Sequence, residues 1–186
     1  MRFRDHSRYA GSHALLSPSK SSWIHYDEER LESMVHSTIA ARRGTQLHEL
    51  ACNLIRLGER LPESTRTLNQ YVNDCIGFRL SPEQILMYSP LCFGQADAIG
   101  FRQGWLRIFD LKTGVTPCKF DQLLIYAALF CLEYNIKPMD IKIELRIYQN
   151  DEVRVVEADP LDIMSIMDKI ILFDRLITEL SEEVLG

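Results

Sequence analysis

The segment Ile108-Phe109-Asp110-Leu111-Lys112-Thr113-Gly114 sets an acid and an amine two residues apart at the end of an apolar run. On a strand, Ile108, Asp110 and Lys112 point to one face, so a carboxylate and an ammonium stand side by side just before a glycine turn. Upstream, Gly94-Gln95-Ala96-Asp97-Ala98-Ile99 holds a lone acid inside an apolar alternation. A hairpin through Arg102-Gln103-Gly104 can bring Asp97 close to Asp110. Two carboxylates converging on one point repel and are costly to desolvate, and a divalent cation relieves both effects. Oxygen-rich ligation favours Mg2+ or Mn2+. Such an ion polarises a phosphodiester oxygen and acidifies a bound water, while Lys112 orients that water or offsets the charge of the pentacovalent state. Taken alone, Asp-x-Lys fits a surface salt bridge at a strand end equally well.

The elements that must carry these residues follow from periodicity. Ser17-Pro18-Ser19 reads as a loop ending in a helix cap, with a short helix from Trp23 to about Val35. From Thr45, apolar residues at 47, 50, 51, 54 and 55 recur at helical spacing, which predicts an amphipathic helix over about 44–58. A further helix is expected over 64–75, capped by Ser64 or Thr65. Short apolar or alternating runs at 85–88, 91–101 and 105–111 predict a meander of strands. A helix over about 119–134 is closed by Pro138. Strands follow at 141–148, where apolar and polar residues alternate, and at 153–156, and a C-terminal helix spans 160–186. The order gives an α/β fold, a mixed β-sheet flanked by helices, in one domain over 1–186.

The bulk composition narrows the function classes. With 186 residues, 46% apolar and 25% charged, the chain can bury one sizeable core. A net charge of −5 argues against a protein that coats nucleic acid by bulk electrostatics, although it leaves a nuclease open. The charge is uneven: Arg2, Arg4, Arg8 and Lys20 face only Asp5 in the basic N-terminal segment 1–24, while 179–183 is acidic. That basic end either guides DNA or is merely solvated. Arg42 and Arg43, just before the expected 44–58 helix, are placed to meet phosphates because a helix N-terminus adds its own positive field. Trp23, Tyr26 and Trp105 can stack on bases, though core packing is the commoner use. Cys52, Cys75, Cys92, Cys118 and Cys131 are widely spaced with no CxxC pair, so they read as reduced core residues, and no iron–sulfur cluster is expected. Neither a signal peptide nor a membrane span is evident, which points to a cytoplasmic protein, in the host cytoplasm if it is phage-encoded.

Four segments, in order and spacing, resemble the motifs of the PD-(D/E)XK nuclease superfamily, and most closely its RecB-type and phage exonuclease branch. They are Gly44-Thr45-Gln46-Leu47-His48-Glu49, Gly94-Gln95-Ala96-Asp97-Ala98-Ile99, Phe109-Asp110-Leu111-Lys112-Thr113-Gly114 and Gln122-Leu123-Leu124-Ile125-Tyr126. The resemblance covers 44–126 and implies a restriction-endonuclease-like core. It implies that Asp97 and Asp110 bind metal, that Lys112 is the catalytic lysine, and that the backbone carbonyl of Leu111 is a further ligand. His48 matches a metal-binding histidine of the RecB-type branch, and Glu49 the acid beside it, either a ligand or a solvated helix residue. Gln122 and Tyr126 match a Gln-x-x-x-Tyr motif that contacts the DNA backbone or braces the lysine, and their spacing puts both on one helical face. The chain departs from the cluster-bearing relatives in lacking grouped cysteines, and from the family name in having Gly94-Gln95-Ala96 before the first acid.

The function these observations imply is metal-dependent hydrolysis of DNA, single- or double-stranded, by an exonuclease of recombination, repair or phage DNA processing. An endonuclease on the same fold is the first alternative. A non-catalytic DNA-binding adaptor is the second, and a hydrolase of other phosphodiesters the third. With no nucleotide-binding Gly-x-x-x-x-Gly-Lys motif, any motor must be another chain. Processivity then calls for a homo-oligomer or a partner recombination or helicase protein.

Overall fold

A computed structural model describes residues 4–185, with side chains as far as residue 181. Arg2 and the side chains of Glu182 and Glu183 lie outside the described residues. The chain forms two compact units, Met1–Arg43 and Gly44–Gly186.

In the first unit, short 3-10 helices span Ser7–Tyr9 and Pro18–His25, the second with Pro18 in its first turn as expected. Ser17 does not cap it by its side chain. Instead the Ser17 carbonyl accepts the Trp23 indole N–H at 3.0 Å, so Trp23 serves to close this turn. Helix α1 then starts at Glu28, where the Asp27 carboxylate accepts the Arg30 amide at 2.8 Å.

Helix α1 runs unbroken over Glu28–Leu57, where the sequence predicts two helices. Nothing between Val35 and Gly44 stops it: Ser37-Thr38-Ile39-Ala40-Ala41-Arg42-Arg43 holds no proline, and one glycine costs only about 1 kcal/mol. Arg42 and Arg43 therefore lie, exposed, in a helix interior and not at an N-terminus, so the helix-end field expected to assist them is absent there.

The second unit is an α/β layer structure. Helix α2 spans Thr67–Phe78, slightly later than expected, because Thr67 anchors its start on the Asp151 carboxylate and neither Ser64 nor Thr65 caps it. Strands β1 (Ser81–Ser89), β2 (Cys92–Arg102), β3 (Trp105–Leu111), β4 (Lys142–Gln149) and β5 (Glu152–Glu157) form one sheet in the order β1-β2-β3-β4-β5. All neighbours are antiparallel except β3 and β4, whose parallel pairing is made possible by the crossover helix α3 (Asp121–Glu133). The β2–β3 turn has left-handed Gln103 (φ 51°) and Gly104 (φ 76°), and the β4–β5 turn has Asn150 (φ 54°) and Asp151 (φ 61°), the conformation that tight hairpins require.

Alternation along β3 and β4 feeds two cores. Leu106, Ile108, Ile143, Leu145 and Ile147 pack with Leu123 and Ala127 of α3 and with Ile163 of α4 (Pro160–Leu185). Phe109, Leu111 and Tyr148 pack on the other face with Ala51 and Ile55 of α1 and Tyr71, Val72 and Cys75 of α2. Thus β3 is covered on both sides, and its two polar residues, Arg107 and Asp110, flank the apolar pair Ile108 and Phe109. Helix α4 is pinned by Asp174, whose carboxylate bonds Ser89 Oγ. Among the described residues no helix is long and apolar enough to cross a membrane.

Candidate active site

The β2–β3 ladder ends at Ala98↔Phe109, and Asp97 and Asp110 come next in line. Beyond that pair the Asp97 side chain takes over: its Oδ2 accepts the Leu111 amide at 3.0 Å. The strands part here, where β1 on the other side of β2 carries a left-handed residue. Glu83 on β1, between the pairs Pro82↔Ala98 and Gln84↔Ala96, has φ +52°, and both Ala96 and Ile99 pack with the α3-side core, an interval of three that breaks strand alternation. Asp97 occupies that break and meets α1, where His48 Nδ1 lies 3.4 Å from its Oδ2.

Asp110 is the buried member, 3% exposed. Its Oδ1 pairs with Lys112 Nζ at 3.0 Å, whereas its Oδ2 is buried with no hydrogen-bond partner. Burial, reinforced by the charge of Asp97, holds its pKa above the ordinary carboxylate value despite Lys112 and His48. Burial pulls the Lys112 ammonium down, but the charge and hydrogen bond of Asp110, with Asp97, outweigh it, so its pKa is raised. His48 is also raised, by its hydrogen bond to Asp97 against the opposing effect of burial.

A directed chain of bonds fixes the lysine. Lys112 Nζ donates to Gln122 Oε1 at 3.0 Å, Gln122 Nε2 donates to the Tyr126 hydroxyl at 3.2 Å, and that hydroxyl donates to the Gln95 carbonyl at 2.7 Å. Gln122 and Tyr126 thus brace the lysine from one face of α3. Their other implied role, contact with DNA, has no counterpart in these bonds. Glu49 is exposed, its side chain forms no hydrogen bond or ion pair among the described residues, and a one-residue step turns it about 100° from His48 around the helix.

Two glycines let these elements close. A Cβ on Gly94 falls 2.9 Å from Tyr126 Cε1, so β2 needs glycine for α3 to approach. A Cβ on Gly44 falls 2.8 Å from Thr113 Oγ1, so α1 needs one for the loop after Lys112 to lie against it. A glycine inside a strand pattern is a legible sign of close approach, and Gly94 could have been read that way.

Sequence reasoning missed Glu83. It lines a cavity of about 210 Å3 with His48, Asp97 and Gln95, and its carboxylate meets Cys52 Sγ at 3.1 Å and Arg56 Nη2 at 3.2 Å. Only the backbone kink brings it there, and no motif announces a kink. All five cysteines are free thiols.

Among the described residues no three His, Cys, Asp or Glu side chains converge into a ready metal cage. The donors nevertheless suit a hard divalent cation. Mg2+ is commonly held by one or two carboxylates and completed by waters and phosphate oxygens. The partnerless Asp110 oxygen and its raised pKa mark a place where positive charge is missing. No protein-family model matches the chain, and no curated protein proved significantly similar to it.

Proposed function

We propose that this protein is a metal-dependent deoxyribonuclease of the PD-(D/E)XK type, on a restriction-endonuclease-like core, and most closely an exonuclease of the RecB-type and phage branch. The observation that carries the reading is the cluster at the parted end of β2 and β3: Asp97, a buried Asp110 with one free oxygen, and a lysine braced by Gln122 and Tyr126. A protein that only binds DNA gains nothing from a buried, underpaired acid, because such a group lowers stability unless its charge is used.

In this reading Asp97 and Asp110 hold Mg2+ or Mn2+, with His48 and the Leu111 carbonyl as further donors. The ion, when bound, supplies Lewis acidity to the phosphodiester and lowers the pKa of a water. Lys112 keeps its proton at neutral pH, since its pKa is raised, and so acts as a fixed donor to the charge that builds on the phosphorus oxygens, not as a base. Gln122 can only accept from Lys112, because its amide is committed to Tyr126, so the ammonium is held in one direction before substrate arrives. His48 orients Asp97, whose other task is to tie the Leu111 amide and keep the strand ends in register. DNA, single- or double-stranded, is the substrate, and a second copy or a recombination or helicase protein is the proposed partner.

The test is gel-resolved digestion of end-labelled linear and closed circular DNA with Mg2+, Mn2+ or EDTA, comparing the wild type with Lys112→Ala. Metal-dependent loss of linear DNA, abolished in the variant, is expected. Cutting of closed circles reassigns the enzyme as an endonuclease. Absence of cleavage with either ion overturns the enzymatic reading for the isolated chain.

A further inference from the structure

The opposite end of β3 is basic and aromatic. There Phe78 and Arg79, at the end of α2, and Arg102, Trp105 and Arg107 of the β2–β3 hairpin line an open cavity of about 370 Å3. Trp105 and Asp110 are five residues apart on one strand, so the cavity lies about 17 Å from the acidic site along the strand.

The charges here are unequal. Arg107 is built in: its guanidinium carbon stands 4.6 Å from the Phe78 ring and 5.0 Å from the Trp105 ring, and its Nε is 3.7 Å from Glu144 Oε1. Glu144 is shared with Arg146, at 2.8 Å, and Arg146 also pairs with Asp74 at 2.9 Å. Glu157 faces Glu144 across the β4–β5 register. Glu144 and Asp74 are met by Arg107 and Arg146, while Glu157 is exposed on β5. Arg79 and Arg102 are exposed and form no ion pair among the described residues, and Lys142 there has only the Trp105 ring, 4.9 Å away. Three cations are thus uncommitted around one indole, in a chain whose net charge is −5.

A structural role accounts for Arg107 but not for Arg79 and Arg102, which cover no core and neutralise nothing. Their position beside an indole fits a ligand with both negative charge and a flat face. We infer that this cavity binds single-stranded nucleic acid: Arg79 and Arg102, which line it with Trp105, take successive phosphates, and a base stacks on the indole, with the exposed Lys142 beside that ring as a further cation. A paired base keeps its faces inside the duplex, so only an unpaired one can reach the ring. The site reads no sequence, since every base presents such a face. It goes beyond the nuclease reading and does not need it.

The experiment is a fluorescence titration in EDTA of a Trp23→Phe protein, which leaves Trp105 as the sole reporter, with a short oligothymidylate at several salt concentrations. Arg79→Asn plus Arg102→Gln is the comparison. Asparagine suits the left-handed Arg79 backbone (φ 56°), and both side chains are exposed, so folding is preserved. Saturable quenching is expected, with affinity down about tenfold in the double variant. The slope of log K against log salt should shrink by about 1.4, from two lost phosphate contacts on a single strand. Unchanged affinity and slope in the variant overturn the proposal. So does an absence of quenching, or equal binding of polyglutamate, which assigns the cavity to an acidic polypeptide. Because nothing is cleaved in EDTA, failure here is separable from failure of the nuclease reading.

Discussion

One strand of seven residues, β3, carries two buried polar atoms without hydrogen-bond partners, Asp110 Oδ2 and Arg107 Nε. They are treated in opposite ways. Around Arg107 two aromatic rings and Glu144 supply diffuse negative charge, which a delocalised, weakly hydrated guanidinium accepts well. Around Asp110 the nearest charges include a second acid, and the single lysine reaches only one of its oxygens. The first end is a finished packing arrangement on which uncommitted arginines are displayed. The second is an incomplete one, and its incompleteness is what a cation would remedy.

The contrast breaks most visibly at Asp110 and Lys112. Lys112→Ala should lower cleavage by at least about 100-fold, the usual cost of removing one oriented donor to transition-state charge. Asp110→Asn should abolish cleavage yet raise the stability of the metal-free protein by on the order of 1 kcal/mol, since a disfavoured buried charge is gone. Urea denaturation of both variants, beside the digestion assay, checks the pair of effects. Loss of both activity and stability in Asp110→Asn would mean the acid is a fold-holding residue.

Next in size is Gly94→Ala. The new methyl forces the Tyr126 ring away and with it the bond to Gln95, for a loss of about 1–3 kcal/mol from overpacking. Tyr126→Phe, which removes only the hydroxyl, should cost about 1 kcal/mol. Thermal melts of the two variants distinguish crowding from bonding.

A pH test sharpens the comparison further. The folded pKa of Asp110 lies above 3.8, so this group's contribution falls as pH rises from 3.8 through its folded value. His48, raised above 6.5, contributes fully below 6.5 and loses that contribution as pH rises through its folded pKa. Both protons compete with a cation. The rise in Tm on adding Mn2+ should therefore be larger at mildly alkaline pH than below 6.5, and Asp110→Asn should flatten the difference. The smallest effect is expected at the other end: Arg107→Met should change stability by no more than about 1 kcal/mol, because Glu144 keeps Arg146 and the aromatic slot accepts an unbranched apolar chain.

Much of this arrangement is legible in the sequence where one residue type has one use. Strand alternation through Ile108, Asp110 and Lys112, the Gln103-Gly104 turn and the four-residue spacing of Gln122 and Tyr126 each follow from local geometry. What is illegible depends on distant neighbours. The unbroken α1 hides behind Gly44, which reads as a helix boundary but is a contact for Thr113, sixty-nine positions away. Glu83 joins the cavity only because β1 takes a left-handed residue opposite Asp97. Trp105 reads as a core aromatic until the hairpin sets arginines on either side of it.

The contact between Gly44 and Thr113 also has an inheritance. With 2.8 Å between a would-be methyl and the threonine oxygen, the acceptable residue at each position depends on what stands at the other. Alanine at 44 becomes tolerable once 113 is itself cut back to alanine or glycine, whereas with threonine at 113 the added methyl crowds the hydroxyl. Such positions drift as a pair, so functional descendants of this chain should show them changing together, and a library randomised at both should return a correlated set in place of two independent ones.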